Sequence, residues 1–482
     1  MGYSFKPVPA SENGLEQTAR FWRNHGSVAL SEPNPGESGI PLDVADGRAA
    51  LSTPENHCMV CGVSGKGKTR RELYPAVILS ARAGRSMVIA DMKGEIYRNT
   101  AAEVRRCGHA IRVINLRNPL HGDRFSPFAI VGKYWKSGDR NRAAILLKDI
   151  AEVVTSRIQA ENDAYWRQAA QDAIIGFALL LLENGLGLTF DNIQNLFNDS
   201  RAYREPLKAL LNGKSDAGKR LSSILSLDSE VTYGCIVSEC NTALSCFVDQ
   251  SDIRDLLSES DIELCDLGRK PTAVYLICPD ESTALYGIAS LFIEQCYSEL
   301  IRYADSREDN RLPVKVDFLL DEFGSFVGSD WPGKLTAARS RGIRFILAIQ
   351  SMSQLVSRYD ENGARTIMAN CRTLVYMGGR DLRLMNEISA LSGLREDSAS
   401  GSEKPVLSIN DLSTLAVGET VVLDDWGMPY IGHLPDWEAW GVTVKAPLNV
   451  TRRQMPGTES ITMSALLDLM ESLHTAGNRG RD

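Results

Sequence analysis

The sequence predicts an α/β fold with a mainly parallel sheet, interrupted by an inserted all-α domain. Three observations support this prediction. Apolar strand patterns alternate with helical patterns after residue 56, the alternation stops between residues 134 and 262, and it then resumes. Strands that alternate with helices are typical of a parallel sheet that is covered on both faces.

The pattern divides the 482 residues into four parts. Residues 1–55 are polar and rich in Gly, Pro, Ser and Glu, which predicts a loosely packed arm with one short helix at residues 15–24. The α/β domain is expected to comprise residues 56–133 and 263–446, and the all-α insertion residues 134–262. Residues 447–482 are expected to form a tail with one helix.

Eight apolar segments are predicted as strands, at residues 57–62, 86–91, 110–116, 273–279, 315–323, 345–350, 373–378 and 420–425. In the α/β domain, helical patterns follow the first two strands, at residues 68–83 and 95–107. The insertion shows helical patterns at residues 139–156, 165–184, 205–211 and 221–247, and the tail shows one at residues 463–474.

Composition excludes some classes of function. The net charge is −8, so the chain has no overall basic field, which argues against a simple DNA-coating protein. The most apolar stretch, residues 173–182, is about half of what a bilayer crossing needs. We therefore expect a cytoplasmic protein with no transmembrane segment, which would attach peripherally if it is found at the cytoplasmic face of the plasma membrane. Cys58 and Cys61 form a C-x-x-C, interpreted as core thiols rather than a metal or redox site, because no second pair follows.

Residues 62–69 fit the phosphate-binding pattern G-x-x-x-x-G-K-[ST] and lie between a predicted strand and a predicted helix. Glycines let several backbone N–H groups point at one phosphate chain, and the helix adds its positive amino-terminal end. Lys68 is expected to reach the β- and γ-phosphates of ATP, and the Thr69 hydroxyl to bind Mg²⁺. The residues predicted to contact ATP are Gly62, Ser64, Gly65, Gly67, Lys68, Thr69 and Arg70. The alternative, a Gly-rich turn without a nucleotide, fits this context poorly.

Two carboxylates follow the apolar strand at residues 315–323. Asp321 is predicted to hold Mg²⁺, directly or through water, and Glu322 to act as general base toward the attacking water. The alternative is a pair of exposed carboxylates in a turn.

Gln350 ends the next buried strand, where an amide is predicted to sense the γ-phosphate; a Gln satisfied within a turn is the alternative. Arg339 and Arg341 precede this strand. Either is a candidate for a guanidinium that enters the site of a neighbouring subunit, and a solvated basic helix end is the alternative.

These motifs together resemble the TraG-like coupling ATPases of conjugative and type IV secretion systems. The resemblance includes DMKGE at residues 91–95, FSPF at 125–128, YWRQAA at 165–170, LLDEFGSF at 319–326 and AIQSMSQL at 348–355. It extends from about residue 57 to about residue 425. Residue 66 departs from the family: it is Lys where Ser is usual, which adds a charge near the phosphates.

The resemblance implies a RecA-like motor domain with an all-helical insertion, and hexamers that bind ATP between subunits. It implies a substrate of DNA, usually single-stranded and led by a covalently attached relaxase, or of an effector protein, delivered to the channel at the inner membrane. It also implies that Arg339, eleven residues before the strand-end Gln, is the arginine finger. Family members usually carry amino-terminal transmembrane helices, and without such an anchor we expect weaker assembly and a monomer in isolation.

Two alternatives remain. A double-strand translocase of the FtsK/HerA kind shares the nucleotide motifs but not the insertion or the Q-S-x-S-Q-L element. A soluble substrate-recruiting receptor would use ATP as a structural ligand or slow switch. The charge of the insertion gives some support to the recruiting role. With 13 Lys/Arg against 19 Asp/Glu, it is better suited to bind a basic substrate protein than DNA.

Overall fold

A computed structural model describes residues 21, 22, 25, 27–30, 38–156, 158, 164–281, 285–328, 330–396, 403–424, 429–442, 452–454 and 460–479. Its chain divides into two compact units. The sheet unit comprises Met1–Val113, Leu264–Glu281 and Cys296–Asn449, and the helical unit comprises Ile114–Glu263, Ser282–Gln295 and Val450–Asp482.

Within the loosely packed arm predicted at residues 1–55, the described residues 27–30 and 38–51 form three strands. Strands β1 (Ser27–Ala29), β2 (Pro41–Ala45) and β3 (Arg48–Leu51) form an antiparallel sheet in the order β1-β3-β2. Ile40 and Leu42 are fully buried, so this segment contributes apolar side chains to a core although its Gly and Pro content is typical of loops. Most of the helix predicted at residues 15–24 lies outside the described residues.

The main sheet has nine strands, and its core is almost continuously apolar. In chain order the strands are β4 (Cys58–Cys61), β5 (Ser86–Asp91), β6 (Ala110–Asn115), β7 (Thr272–Ile277), β8 (Val316–Leu320), β9 (Ile343–Ile349), β10 (Thr373–Tyr376), β13 (Glu419–Leu423) and β14 (Tyr430–His433). Between β10 and β13, β11 (Leu394–Glu396) and β12 (Glu403–Pro405) form a separate hairpin. All eight predicted strands are present, and β14 is additional. Cys58 and Cys61 are buried in β4, as expected of core thiols.

The order across the sheet is β14-β13-β10-β4-β9-β8-β5-β7-β6. The pairs from β10 through β7 are parallel, whereas β13 runs antiparallel to both of its neighbours. β9 therefore lies between the strand that enters the phosphate-binding pattern and the strand that ends before Asp321.

Helices in the described part of the chain are α1 (Tyr74–Arg82), α2 (Glu95–Arg106), α3 (Pro127–Ser137), α4 (Arg140–Thr155), α5 (Ala164–Glu183), α6 (Phe190–Asp199), α7 (Arg204–Leu210), α8 (Asp216–Leu225), α9 (Glu230–Val248), α10 (Ser251–Ser258), α11 (Tyr286–Asp305), α12 (Trp331–Ala338), α13 (Met352–Asn370), α14 (Leu382–Leu391), α15 (Ile409–Ser413) and α16 (Met463–Arg479). A π-helical turn, Lys68–Leu73, precedes α1. None of these helices has the length and apolarity that a bilayer crossing requires.

The helical unit differs from the predicted insertion in its bounds, in one helix and in its inclusion of the tail. It begins at Ile114 rather than at residue 134, and it also includes Ser282–Gln295. The single helix predicted at residues 221–247 is two helices, α8 and α9, because the Ser229 side chain accepts from the Thr232 N–H and starts a new helix. The predicted separate tail is part of this unit: the Met463 N–H donates to Asp199 over 3.2 Å, and Arg453 pairs with the buried Asp255 over 3.0 Å.

A buried ion cluster lies among the central strands of the sheet unit. Asp317 on β8 is fully buried and accepts hydrogen bonds from Arg344 on β9, from Arg85 just before β5, and from the Ser80 hydroxyl. Burial opposes ionisation of Asp317, but Arg344 and Arg85 outweigh it and hold its pKa at about 2. The carboxylate thus stays charged and joins three neighbouring segments of the sheet.

We expect Asp317→Asn to lower the free energy of unfolding by about 3–5 kcal/mol, because it leaves two buried guanidinium groups without their carboxylate. The matched control is Asp305→Asn, since Asp305 pairs with Arg341 over 2.7 Å while 43% of its side chain is exposed; that loss should be below about 1 kcal/mol. Urea unfolding followed by circular dichroism measures both variants. Equal losses would contradict a stabilising role for the cluster.

Candidate functional site

The phosphate-binding pattern forms a tight loop at the carboxyl edge of the sheet. After β4, the Gly62 N–H donates to the Ile349 carbonyl over 3.1 Å and the Val63 N–H to the Gly378 carbonyl over 3.2 Å, which ties the loop to the ends of β9 and β10. Gly65 and Gly67 have φ of 84° and 93°, a left-handed backbone that residues with a Cβ rarely adopt. The backbone conformation of the loop therefore requires the glycines at positions 65 and 67.

Lys68 and Thr69 start the π-helical turn that follows the loop. The Lys68 side chain is buried, and its ammonium group donates to the Gly62 carbonyl over 2.6 Å, which folds it back over the loop. The Thr69 hydroxyl donates to Asp321 Oδ2 over 3.3 Å. A hydroxyl beside a carboxylate is a pair of hard oxygen ligands, so these two residues fit Mg²⁺.

Asp321 and Glu322 follow β8, as predicted. Burial and, second, the neighbouring Glu322 carboxylate together raise the pKa of Asp321 to about 6, against the opposing charge of Lys68. Glu322 has φ 52° and ψ 45°, an uncommon conformation for a residue other than glycine. The amide of Gln350, at the end of β9, contacts a carboxylate oxygen of Glu322. Three adjacent strands thus deliver Lys68, Glu322 and Gln350 to one place.

Lys68 and Glu322 line a cleft of about 270 Å³; Gln350 contacts Glu322 but is not among the residues that line this cleft. Of the residues predicted to bind ATP or Mg²⁺, it is lined by Ser64, Gly65, Gly67, Lys68, Thr69, Arg70, Asp321 and Glu322. Gly62 supports the loop from behind, through its carbonyl bond to Lys68. The cleft has the cations and backbone N–H groups that a phosphate chain needs, and the carboxylates that a metal needs.

One wall of the cleft was not predicted as part of the site. Asp91, Met92, Lys93 and Glu95 line it after β5. Asp91 is 1% exposed, and its carboxylate accepts the Tyr97 N–H over 2.8 Å and the Lys93 N–H over 3.4 Å, so it shapes the loop that presents Lys93 and Glu95. Burial raises the pKa of Asp91, and the backbone N–H groups oppose the shift. The sequence did contain a signal for this wall, because Asp91 is a carboxylate at the end of a buried parallel strand, β5, that lies next to β8.

Lys66 does not add its charge to the cleft as the sequence suggested. Its ammonium group donates to the Leu415 carbonyl over 2.9 Å, and the residue is absent from the lining of the cleft. The long side chain reaches a neighbouring backbone oxygen instead of the phosphate position.

The two candidate finger residues differ in their surroundings, and neither lies at this cleft. Arg341 is held by Asp305 and by the Ala337 carbonyl, over 2.7 and 3.0 Å. Arg339 is exposed, and within the described residues its guanidinium forms no ion pair. Both precede β9, whereas Gln350 follows it. A seven-residue strand rises about 23 Å, so Arg339 is at the opposite edge of the sheet from Lys68.

Comparisons with known proteins agree with this geometry. A family model described as type IV secretory system conjugative DNA transfer matches residues 22–399. The protein VirD4 of Rhizobium radiobacter is 24% identical over 326 residues, which are 64% of this chain and 44% of that relative. The chain therefore spans less than half the length of this relative.

Two solved structures share the fold. The plasmid coupling protein TrwB in complex with the non-hydrolysable ATP analogue ADPNP superimposes with a TM-score of 0.64 at 16% identity, covering 94% of this chain and 97% of that one. TrwB in complex with ADP and Mg²⁺ gives a TM-score of 0.63 at 16% identity, covering 91% and 93%. This likeness confirms the predicted RecA-like P-loop fold. Because the family model matches most of its length, the chain belongs to the type IV secretory system conjugative DNA transfer family.

Proposed function

We propose that this chain is an ATP-hydrolysing coupling protein that moves a DNA–relaxase or effector-protein substrate to a type IV secretion channel. The observation that carries the proposal is the convergence of Lys68, Thr69, Asp321, Glu322 and Gln350 at one edge of the sheet. Every side chain that hydrolysis of a nucleoside triphosphate requires within one subunit is present there. The family and the coupling proteins VirD4 and TrwB support the wider role.

In the proposed reaction, the backbone N–H groups of the loop and the Lys68 ammonium group hold the β- and γ-phosphates of ATP. Thr69 and Asp321 would hold Mg²⁺, which neutralises phosphate charge when it is bound. Glu322 accepts a proton from the attacking water, and the Gln350 amide contacts its carboxylate.

Gln350 has a second role beyond sensing the γ-phosphate. Because its amide contacts the Glu322 carboxylate, it orients the general base. A shift of Gln350 on hydrolysis would therefore be transmitted along β9, and a shift of β9 would displace Glu322.

Arg339 completes the site of a neighbouring subunit in a hexamer. Its position at the far edge of the sheet keeps it out of its own cleft, and its exposure leaves it accessible to a neighbour. Arg341 is less suited to this role, because Asp305 and the Ala337 carbonyl already hold it.

The helical unit is proposed to recruit the protein part of the substrate at the cytoplasmic face of the membrane. Residues 134–262 carry 13 Lys/Arg and 19 Asp/Glu, and an excess of acidic groups steers basic proteins rather than phosphate backbones. The path of single-stranded DNA would lie along the sheet unit, which contains the ATP site.

We expect Glu322→Gln to bind ATP like the unchanged protein but to turn over at least about 100-fold more slowly, because only the proton acceptor is lost. Lys68→Ala should lose both affinity and turnover. Steady-state hydrolysis and equilibrium ATP binding measure the two effects. Glu361→Gln, on the exposed face of α13, is the control for removing a carboxylate. Normal hydrolysis by Glu322→Gln would disprove the assignment of the base.

Binding of Mg²⁺–ADP should weaken as pH falls below about 6. Asp321, whose pKa is about 6, is then protonated and must lose its proton to bind the cation. Calorimetric titration between pH 5 and pH 8 measures the slope, and Asp321→Asn should flatten it. The phosphates of ADP titrate in both proteins, so the difference between the two slopes isolates Asp321. Parallel slopes would contradict a metal role for Asp321.

Arg339→Ala should lower turnover by roughly 10³-fold if its guanidinium stabilises the transition state in the neighbouring subunit. Arg341→Ala is the matched control and should keep most activity. Hydrolysis by Arg339→Ala should recover when an excess of Glu322→Gln is added, because the inactive subunit supplies its own Arg339. No recovery in assemblies that native mass spectrometry shows to be mixed would rule out action between subunits.

A further inference from the structure

Arg70, the residue after Thr69, is held by two carboxylates at the mouth of the cleft. Its Nε donates to Asp436 over 2.9 Å, and its Nη2 donates to both oxygens of Glu438 over 2.8 and 3.0 Å. All three residues belong to the sheet unit, although more than 360 positions separate Arg70 from the other two. The Arg70 side chain remains 46% exposed.

The first of these carboxylates is fixed by its own surroundings. Asp436 accepts the Trp437 N–H over 2.7 Å and pairs with Arg71 over 3.4 Å. Arg71 in turn donates to the Leu434 carbonyl over 2.8 Å, and the buried ring of Trp437 packs edge-on against Tyr74 at 5.3 Å. The segment that carries Asp436 is thus anchored to the helix after the phosphate loop.

This arrangement makes Arg70 a poor phosphate ligand. The charges of Arg70 and Arg71 are balanced by those of Asp436 and Glu438, so little positive potential remains for a phosphate. Lys68, in contrast, donates to the neutral Gly62 carbonyl, and no salt bridge holds it within the described part of the chain.

The arrangement suits a different contact. Hydrogen bonds to Nε and Nη2 lie in the plane of the guanidinium and use its edges, which leaves its faces for another planar group. Guanidinium planes are surfaces on which nucleobases stack. Because two carboxylates already fix the guanidinium plane, the Arg70 side chain loses less conformational entropy when a base stacks on it.

The position of Arg70 agrees with this contact. It lines the same cleft as Lys68 and Thr69 and is the next residue along the chain. A nucleotide whose terminal phosphates lie against Lys68 extends outward, with its base beyond its phosphates. The Arg70 side chain lines this cleft and is 46% exposed, so its side of the cleft is open to solvent and is the side for the base.

We propose that Arg70, oriented by Asp436 and Glu438, is the platform on which the nucleobase of the bound nucleotide stacks. This inference rests on the proposed function, because it requires a nucleotide on the phosphate loop. Stacking uses the face that every base has, so the platform contributes affinity with little choice between adenine and guanine. Asp436 and Glu438 act as positioning residues.

The test compares ADP with pyrophosphate, which has phosphates but no base, by calorimetric titration in Mg²⁺ buffer. Arg70→Ala should bind ADP about 5- to 30-fold more weakly and pyrophosphate within about twofold of the unchanged protein. Arg70→Lys should behave like Arg70→Ala, because ammonium keeps the charge but has no planar face. Glu438→Gln, an exposed change, should weaken ADP by a smaller factor and leave pyrophosphate unchanged. GDP should match ADP within about threefold.

Equal losses of ADP and pyrophosphate in Arg70→Ala would overturn the proposal and make Arg70 a phosphate ligand. Restoration by Arg70→Lys, or unchanged ADP binding in Arg70→Ala, would also overturn it. Retained pyrophosphate binding shows that each variant is folded. Lys68→Ala separates the two levels of inference: it should weaken both ligands, and if it weakens neither, the phosphate-loop assignment fails independently of Arg70.

Discussion

The register between β8 and β9 is the constraint on which the site depends. Asp317 and Arg344 are direct cross-strand partners, and their buried ion pair is the polar contact that distinguishes this register among otherwise apolar side chains. Five residues beyond Asp317 lies Glu322, and six residues beyond Arg344 lies Gln350. A slip of one residue would turn every side chain of a strand to the opposite face and would separate the two groups that touch at the cleft. The Asp317–Arg344 ion pair near the amino ends of the two strands thus fixes the contact between Glu322 and Gln350 at their carboxyl ends.

The cleft itself combines charges that would repel each other in the absence of a cation. Asp321 and Glu322 are adjacent, and Asp91 and Glu95 line the facing wall. The raised pKa of Asp321 reflects burial first and this neighbouring charge second. Lys68 is the buried cation that offsets them. If this site binds a nucleotide as proposed, the metal would supply positive charge to the carboxylates and the phosphates would supply negative charge to Lys68. The nucleotide and the metal would then bind more tightly together than either would alone.

Much of this architecture could be predicted from the sequence. Most of the eight predicted strands are nearly continuous apolar runs, with exceptions such as Asp317, and this is the pattern of parallel strands buried on both faces. The loop, Asp321, Glu322 and Gln350 could be located because each follows such a run directly. β1 to β3 were missed because Gly and Pro dominate their surroundings, and β14 because glycine and histidine make up half of its four residues. The break between α8 and α9 depends on one capping Ser. Contacts such as Arg70 with Glu438 join residues hundreds of positions apart, and local pattern has no information about them.

The strand β9 has a mechanical consequence if Arg339 acts as proposed. It is a fully buried, seven-residue element with Arg339 before one end and Gln350 after the other. The first of these residues would enter the site of an adjacent subunit, and the second touches the general base of its own site. Strand β9, which is about 23 Å long and rigidly packed, would then join two successive catalytic centres. Displacement of this single strand would pass the state of one catalytic centre to the next. ATP hydrolysis would then proceed in one direction around the ring of subunits, without any additional signalling element.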